Sequence, residues 1–270
     1  IDGATLMIID IQFNQGAATW NQLHDAVRAA ESAGFSTAWI ADHLSGSVMN
    51  SPSMPECFTT LGALAATTST IGLGSLVANV GNRQPGVLAN SAATVQQISQ
   101  GRFILGLGAG SSPTSAFAAE QIALGIKIPS SVKARHERLI KTLDSIDELW
   151  SPTRRSELAA FPLPEPRPPL ILGVNSHDLA RIAGKRTDGV NIRASHPQRV
   201  EILATAISSA KSSGRSSFIV SVWDWFDDEL LGSQSLSRRA LEKNGVNRLI
   251  LLMRGAPDIA QIRRAASHLS

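Results

Sequence analysis

Short apolar runs along the chain alternate with longer stretches whose apolar residues recur every three or four positions. The first run, Leu6-Met7-Ile8-Ile9, precedes Trp20, Leu23, Val27 and Ala30, a pattern that predicts a strand followed by an amphipathic helix. The unit recurs through the first half as strand 37–41 with helix 57–66, strand 71–78 with helix 87–98, and strand 103–107 with a helix around 132–150. In the second half strand 170–172 precedes helix 177–183, 189–192 precedes 200–210, 218–222 precedes 235–241, and 246–252 precedes 257–266. Alternating strands and helices imply a parallel sheet, and eight units fit a closed (β/α)8 TIM barrel, one domain over 1–270, better than an open doubly wound sheet. The one glycine-rich turn, Gly106-Leu107-Gly108-Ala109-Gly110, is spaced GxGxG and not as the dinucleotide-binding GxGxxG. The stretch 151–169 carries Pro152, Pro162, Pro164, Pro166, Pro168 and Pro169, which predicts an extended connection joining the halves. Loops 45–55 and 111–131 are long, rich in small residues and expected to overhang the barrel mouth.

Composition narrows the function classes. Of the 270 residues 43% are hydrophobic and 17% charged, ordinary for a globular chain with a large core. The net charge of +3 gives no reason to expect nucleic acid. Cys57 is the single cysteine, which excludes an internal disulfide and a cysteine-rich zinc site and leads to the expectation of a cytoplasmic protein. No apolar run approaches the roughly 18 residues that span a bilayer, so no membrane association is expected. Arg135-His136-Glu137-Arg138 lacks a second histidine at metal-ligand spacing and reads as a solvated helix face, so no metal site is expected. Without a GxSxG motif a serine hydrolase lacks its nucleophile signature.

In a barrel the strand C-terminal ends converge on one mouth, where polar residues are functional candidates. They comprise Asn14, Asp42, His43, Asn79, Arg83, Asn175, Ser176, Asn191, Arg193 and Asp224, with Gly108, Gly110 and Gly173. Asp42-His43 follows the apolar 38–41 directly, placing an ionisable pair where the second strand empties into the mouth. The imidazole can serve as acid, base or hydrogen-bond donor; a capping aspartate beside a structural histidine is the equally weighted alternative. Gly173-Val174-Asn175-Ser176 leads from the fifth strand into a helix, whose free N-terminal amides suit a phosphate, or Ser176 simply caps that helix. The glycines at 106–110 let a backbone approach a ligand, or turn the strand tightly at the rim. Trp223 and Trp225 offer one wall for a flat ligand and one core residue.

Several segments together resemble the bacterial-luciferase-like monooxygenase family. They are 29–35 through Trp39-Ile40-Ala41-Asp42-His43-Leu44; Gly74-Ser75-Leu76-Val77-Ala78-Asn79-Val80 with Arg83-Gln84-Pro85; 92–94 through Gly101-Arg102-Phe103 to Gly110; and Leu172-Gly173-Val174-Asn175-Ser176 through Asp188-Gly189-Val190-Asn191. The resemblance spans about residues 20 to 195. It implies a barrel that binds the deazaflavin coenzyme F-420, or alternatively FMN, at the strand C-terminal face and acts on a small organic substrate. Hydride transfer with F-420 is the reading closer to Ala78-Asn79-Val80, Arg83 and Pro85; an FMN-dependent monooxygenase and a non-catalytic flavin-binding protein are the alternatives. By the same resemblance His43, with Asp42, takes the active-site position, Ala78 and Asn79 lie near the ring with Gly108 and Gly110, and Gly173, Asn175 and Ser176 contact phosphate. It further implies a non-proline cis peptide at Leu76-Val77 or Ser75-Leu76, and a homodimer through barrel helices. Two departures are visible: Ser111 stands where the family's deazaflavin sugar-phosphate dehydrogenases place a glutamate, and the loop from Leu44 lacks their tryptophan. The chain is also shorter than typical members between Trp150 and Pro169 and after Arg193, where longer insertions cover the site.

Overall fold

A computed structural model describes residues 7–269. Eight parallel strands close in sequential order, the first pairing with the eighth. They are β1 (Ile8–Phe13), β2 (Thr37–Ile40), β3 (Gly72–Asn79), β4 (Phe103–Gly108), β5 (Leu170–Gly173), β6 (Gly189–Arg193), β7 (Ile219–Trp225) and β8 (Arg248–Leu252). Around them lie α1 (Trp20–Ala33), α2 (Cys57–Thr67), α3 (Pro85–Ile98), α4 (Ala119–Ala123), α5 (Val132–Leu149), α6 (His177–Arg186), α7 (Arg199–Ser212), α8 (Leu236–Lys243), α9 (Ile259–Arg264) and α10 (Ala266–Leu269). None of these helices is long and apolar enough to cross a membrane.

Local chemistry explains the boundaries. Thr19 and Gln22 form a reciprocal capping box that starts α1, and Gly34, left-handed at φ 93°, ends it. Ser131 caps α5 and Ser176 caps α6, each accepting from an amide in the first turn. β1 corrects the expected boundary: it begins at Ile8 and runs on to Phe13, with Leu6 outside the described residues. The extension carries Asp10 and Gln12, polar residues facing inward where period-two reading expects an exposed side, because each finds a partner inside the barrel. The second correction lies in 111–131, read as loop but containing α4.

The interior holds a small apolar cluster of Trp39, Leu76, Ile104, Ile171 and Ile250. Trp39 is fully buried, and Gly74 makes room for it: a Cβ there would lie 2.4 Å from the indole. Below it Asp10 accepts from Trp39 Nε1 at 2.8 Å and from Arg248 Nη1 at 3.0 Å. The larger core lies between strands and helices. At the N-terminal end Arg102 braces the wall through the carbonyls of Ala65, Thr68, Ile71 and Ser99. Toward the mouth β3 bulges between Ser75 and Ala78, with a cis peptide at Leu76-Val77 as the resemblance implied.

Candidate active site

Neighbours in sequence, Asp42 and His43 part company at the end of β2. The Asp42 side chain is wholly enclosed. Both its oxygens receive Arg83, at 2.8 Å each, and Oδ2 also accepts from the Asn79 amide at 2.9 Å. Arg83 continues to Glu56. Burial disfavours the guanidinium charge, but Asp42 and then Glu56 outweigh burial and raise the Arg83 pKa above its ordinary value. The carboxylate thus ties the β2 end to the β3 end.

His43 turns instead to Glu120 on α4, with Nδ1 3.0 Å from Oε1, and stacks on Phe117 at 5.5 Å. Glu120 is 2% exposed and the imidazole 23%, so the carboxylate is sealed while the ring stays open to the mouth. Glu120 Oε2 accepts from the amides of Leu44 and Ser45 at 2.8 and 3.0 Å. Burial alone raises this carboxyl; the bonds from His43, Leu44 and Ser45 reverse the effect and hold it below the usual carboxylate range. An ionised Glu120 can only accept, so Nδ1 donates and the lone pair of a neutral imidazole falls on Nε2. Sequence reading missed Glu120. Its one signal was Ser115 followed by Phe117, Ala118, Gln121 and Ile122 at helical spacing, too short a run to separate from loop.

Opposite this pair, the glycines named from sequence make room for protein before ligand. A Cβ at Gly106 would lie 2.1 Å from the Ser75 carbonyl, at Gly108 2.7 Å from Val77 Cγ2, and at Gly173 3.1 Å from Val77 Cγ1. Together they let the bulged β3 lean across the barrel top, with the half-buried Val77 packed on the inner cluster. Gln12 holds the bulge from the other side, its Nε2 donating to the Leu76 carbonyl at 3.2 Å. Buried Ala78 pairs with Leu107, and Asn79 with Gly108. Asn79 Oδ1 accepts from the Gly81 amide at 2.8 Å, and Gly110, at φ 88°, lies against the same oxygen.

After β5, Ser176 accepts from the Leu179 amide and starts α6, while Asn175 is exposed. Among the described residues the amides of Asn175 and Ser176 donate to no protein atom, whereas that of Val174 is spent on Asn191. Buried Asn191 reaches across to Ser221. Asn14 turns away from the site, pinning loop 45–55 through Ser51 and Met49. Parallel closure brings all these strand ends to one mouth, with the proton-bearing pair on the β2 side and unspent amides after β5.

The luciferase-like monooxygenase profile matches residues 5–222. The chain belongs to that family. Among curated members it is 28% identical over 197 residues to an F420-dependent glucose-6-phosphate dehydrogenase of Microbacterium testaceum (strain StLB037), covering 68% of this chain and 56% of that one. To a 5,10-methylenetetrahydromethanopterin reductase of Archaeoglobus fulgidus (strain ATCC 49558 / DSM 4304 / JCM 9628 / NBRC 100126 / VC-16) it is 25% identical over 253 residues, 91% of this chain and 70% of that protein. The chain spans about half the length of the first curated relatives it matches. A solved F420-dependent secondary alcohol dehydrogenase, in complex with an F420-acetone adduct, shares the fold with a TM-score of 0.79 at 15% identity, over 98% of this chain and 99% of that one. The family match ends within β7, so Trp223, Asp224 and Trp225 of β7, with β8, complete the mouth beyond it.

Proposed function

We propose that the protein is an oxidoreductase that uses coenzyme F-420 to pass a hydride to or from a small organic substrate at this mouth. The observation that carries the reading is the His43–Glu120 pair: a sealed carboxylate fixes one ring nitrogen of a part-exposed imidazole, and among the described residues the other nitrogen has no protein partner. The curated relatives' names, F420-dependent dehydrogenases and methylenetetrahydromethanopterin reductases, support the choice of coenzyme.

The residues present fit such a group. Val77 offers an apolar bed at the barrel top, kept low by Gly106, Gly108 and Gly173. The unspent amides of Asn175 and Ser176 and the start of α6 suit its phosphate, with Ala78, Asn79 and Gly110 bordering the bed from β3 and β4. When bound, coenzyme F-420 supplies a carbon centre suited to two-electron hydride transfer and poorly suited to oxygen activation. His43 takes or gives the substrate proton at Nε2, and Glu120 stabilises the imidazolium that forms while holding the ring in place. Asp42 acts as a brace, keeping Asn79 and Arg83 in position beneath the site. The homodimer and the cytoplasmic location belong to the same proposal, supported by the exposed Val87 and Ile98 of α3 and the single buried Cys57.

The test is dialysis of the chain after mixing with F-420 or with FMN, followed by absorption spectra and anaerobic turnover. Retained F-420 with hydride transfer is expected. Retained FMN with oxygen-consuming turnover would replace this reading by a monooxygenase, and retention without turnover by a flavin-binding protein.

A further inference from the structure

The β6–β8 side of the mouth carries a row of four side chains that no step above uses. Arg193 is the last residue of β6, Trp223 and Trp225 lie on β7, and Arg254 follows β8 by two residues. Strand alternation puts Arg193, Trp223 and Trp225 on the side of Asn191 and Ser221, which bond to each other inside the barrel, and Trp223 packs on the interior cluster. Arg254, past the end of β8, joins the row through Trp225, and both arginines are exposed. Arg193 pairs with Trp223 in register. Its guanidinium stacks over the Trp223 ring at 5.2 Å, that ring meets Trp225 edge to face at 6.0 Å, and Arg254 stacks over Trp225 at 4.9 Å.

What sets these two arginines apart is a combination: each is stacked on an indole and, unlike Arg167 on Trp150, which pairs with Asp147, has no acid beside it among the described residues. Arg83 and Arg248 have carboxylate partners at 2.8 and 3.0 Å. Among the described residues Arg193 and Arg254 have none, and their guanidiniums donate to no protein atom. Stacking on an indole holds a guanidinium flat and leaves its N–H edge free. A planar fork of that kind matches a carboxylate or phosphate bidentately.

We infer that Arg193 and Arg254, mounted on Trp223 and Trp225, form a subsite for the anionic group of the substrate, a carboxylate or a phosphate monoester. The inference rests on the reading of this mouth as the active site. Shared anion chemistry leaves two sources, the substrate and the coenzyme's own acidic end, and the row is assigned to the substrate because the amides after β5 already serve the coenzyme.

The experiment titrates the full chain with inorganic phosphate at constant ionic strength, read by tryptophan fluorescence, and measures F-420 affinity separately. Wild type is expected to give a saturable change that the double variant Arg193→Gln, Arg254→Gln weakens at least about ten-fold, while Arg193→Lys, Arg254→Lys retains part of it. F-420 affinity is expected to stay within about two-fold, because a neutral change on the β6–β8 side leaves the helix N-terminal amides intact. Circular dichroism of the Gln variant confirms that it is folded. No saturable response in wild type, or one the double variant leaves unchanged, overturns the subsite. A loss of F-420 affinity in the folded double variant overturns the assignment to substrate. A chain that binds phosphate through these arginines but no F-420 upholds the subsite and rejects the coenzyme reading instead.

Discussion

Two buried carboxylates sit at opposite levels of the same barrel and behave in opposite ways. Asp10, in the interior, and Glu120, at the mouth, are each almost fully enclosed and each bonded to a nitrogen cation or ring. Burial pushes Asp10 up to about 6 despite the Arg248 charge and the bonds from Trp39, Arg248 and Thr37. Glu120 is held below the ordinary range. The difference lies in the donors: both Glu120 oxygens are occupied, one by two backbone amides, whereas among the described residues Asp10 Oδ1 has no hydrogen-bond partner. The partners differ too. Arg248 is itself buried, while the His43 ring is part-exposed. One pair is therefore architecture, and the other is the one to which chemistry is assigned in the proposed function.

The largest effect should come from breaking the enclosed pair. Asp10→Ala leaves the Arg248 charge buried and unpaired, and loss of one partner of a buried pair costs about 3–5 kcal/mol. Urea denaturation should show that loss, with Glu120→Gln costing clearly less because the amide oxygen still accepts from the Leu44 and Ser45 amides. Equal losses would erase the distinction between the two sites. Next in size is the open pair. His43→Ala should lower the hydride-transfer rate at least about 100-fold, with F-420 affinity held within a few-fold, since the proposed phosphate contacts lie after β5. Stability falling together with affinity, at an unchanged rate for the folded fraction, would make His43 structural.

Most of the barrel was legible in the sequence because each strand-helix unit repeats one pattern, and a run such as Phe103 to Leu107 admits little but a buried parallel strand. Asp42 and His43 were legible by position, at the end of an apolar strand. Their division of labour was not, since it depends on Arg83 and Glu120, 41 and 77 residues further on. β1 was misjudged for a related reason: Asp10 and Gln12 look like solvent-facing residues until Trp39, Arg248 and the Leu76 carbonyl are present to receive them. The glycines show the same limit. Sequence marked Gly108 and Gly173 as places of close approach, but not that the side chain approaching them is Val77.

A smaller effect follows from the raised Asp10 pKa, and its sign is opposite to that of an ordinary salt-bridged aspartate. Between the unfolded value of 3.8 and about 6 the folded protein keeps a proton on Asp10 that the unfolded chain releases. The native state thus binds more protons in this window, and the Asp10 contribution to stability falls as pH rises through it. In Asp10→Asn that slope should be absent. Denaturation midpoints of wild type and variant, compared across this pH range, measure it; parallel profiles would mean that Asp10 is ionised throughout and the interior pair is closed at every pH.

The smallest expected effect sharpens the comparison at the mouth itself, by adding a carboxylate at the start of α6. Ser176 starts α6 by accepting from the Leu179 amide, and aspartate is as good a helix cap as serine. Ser176→Asp should therefore leave the helix and the melting temperature intact, or raise the latter slightly through the helix dipole. The new charge would lie beside the amides of Asn175 and Ser176 and compete for the site at which a coenzyme phosphate is expected. A repulsion on the scale of helix-terminal charge effects, about 0.3–1 kcal/mol and up to ~2 where partly buried, amounts to a loss of F-420 affinity of about two- to thirty-fold. The variant thus separates capping from phosphate binding, which the wild-type serine would perform together. Unchanged affinity at unchanged stability would leave Ser176 a cap alone and move the phosphate elsewhere on the rim.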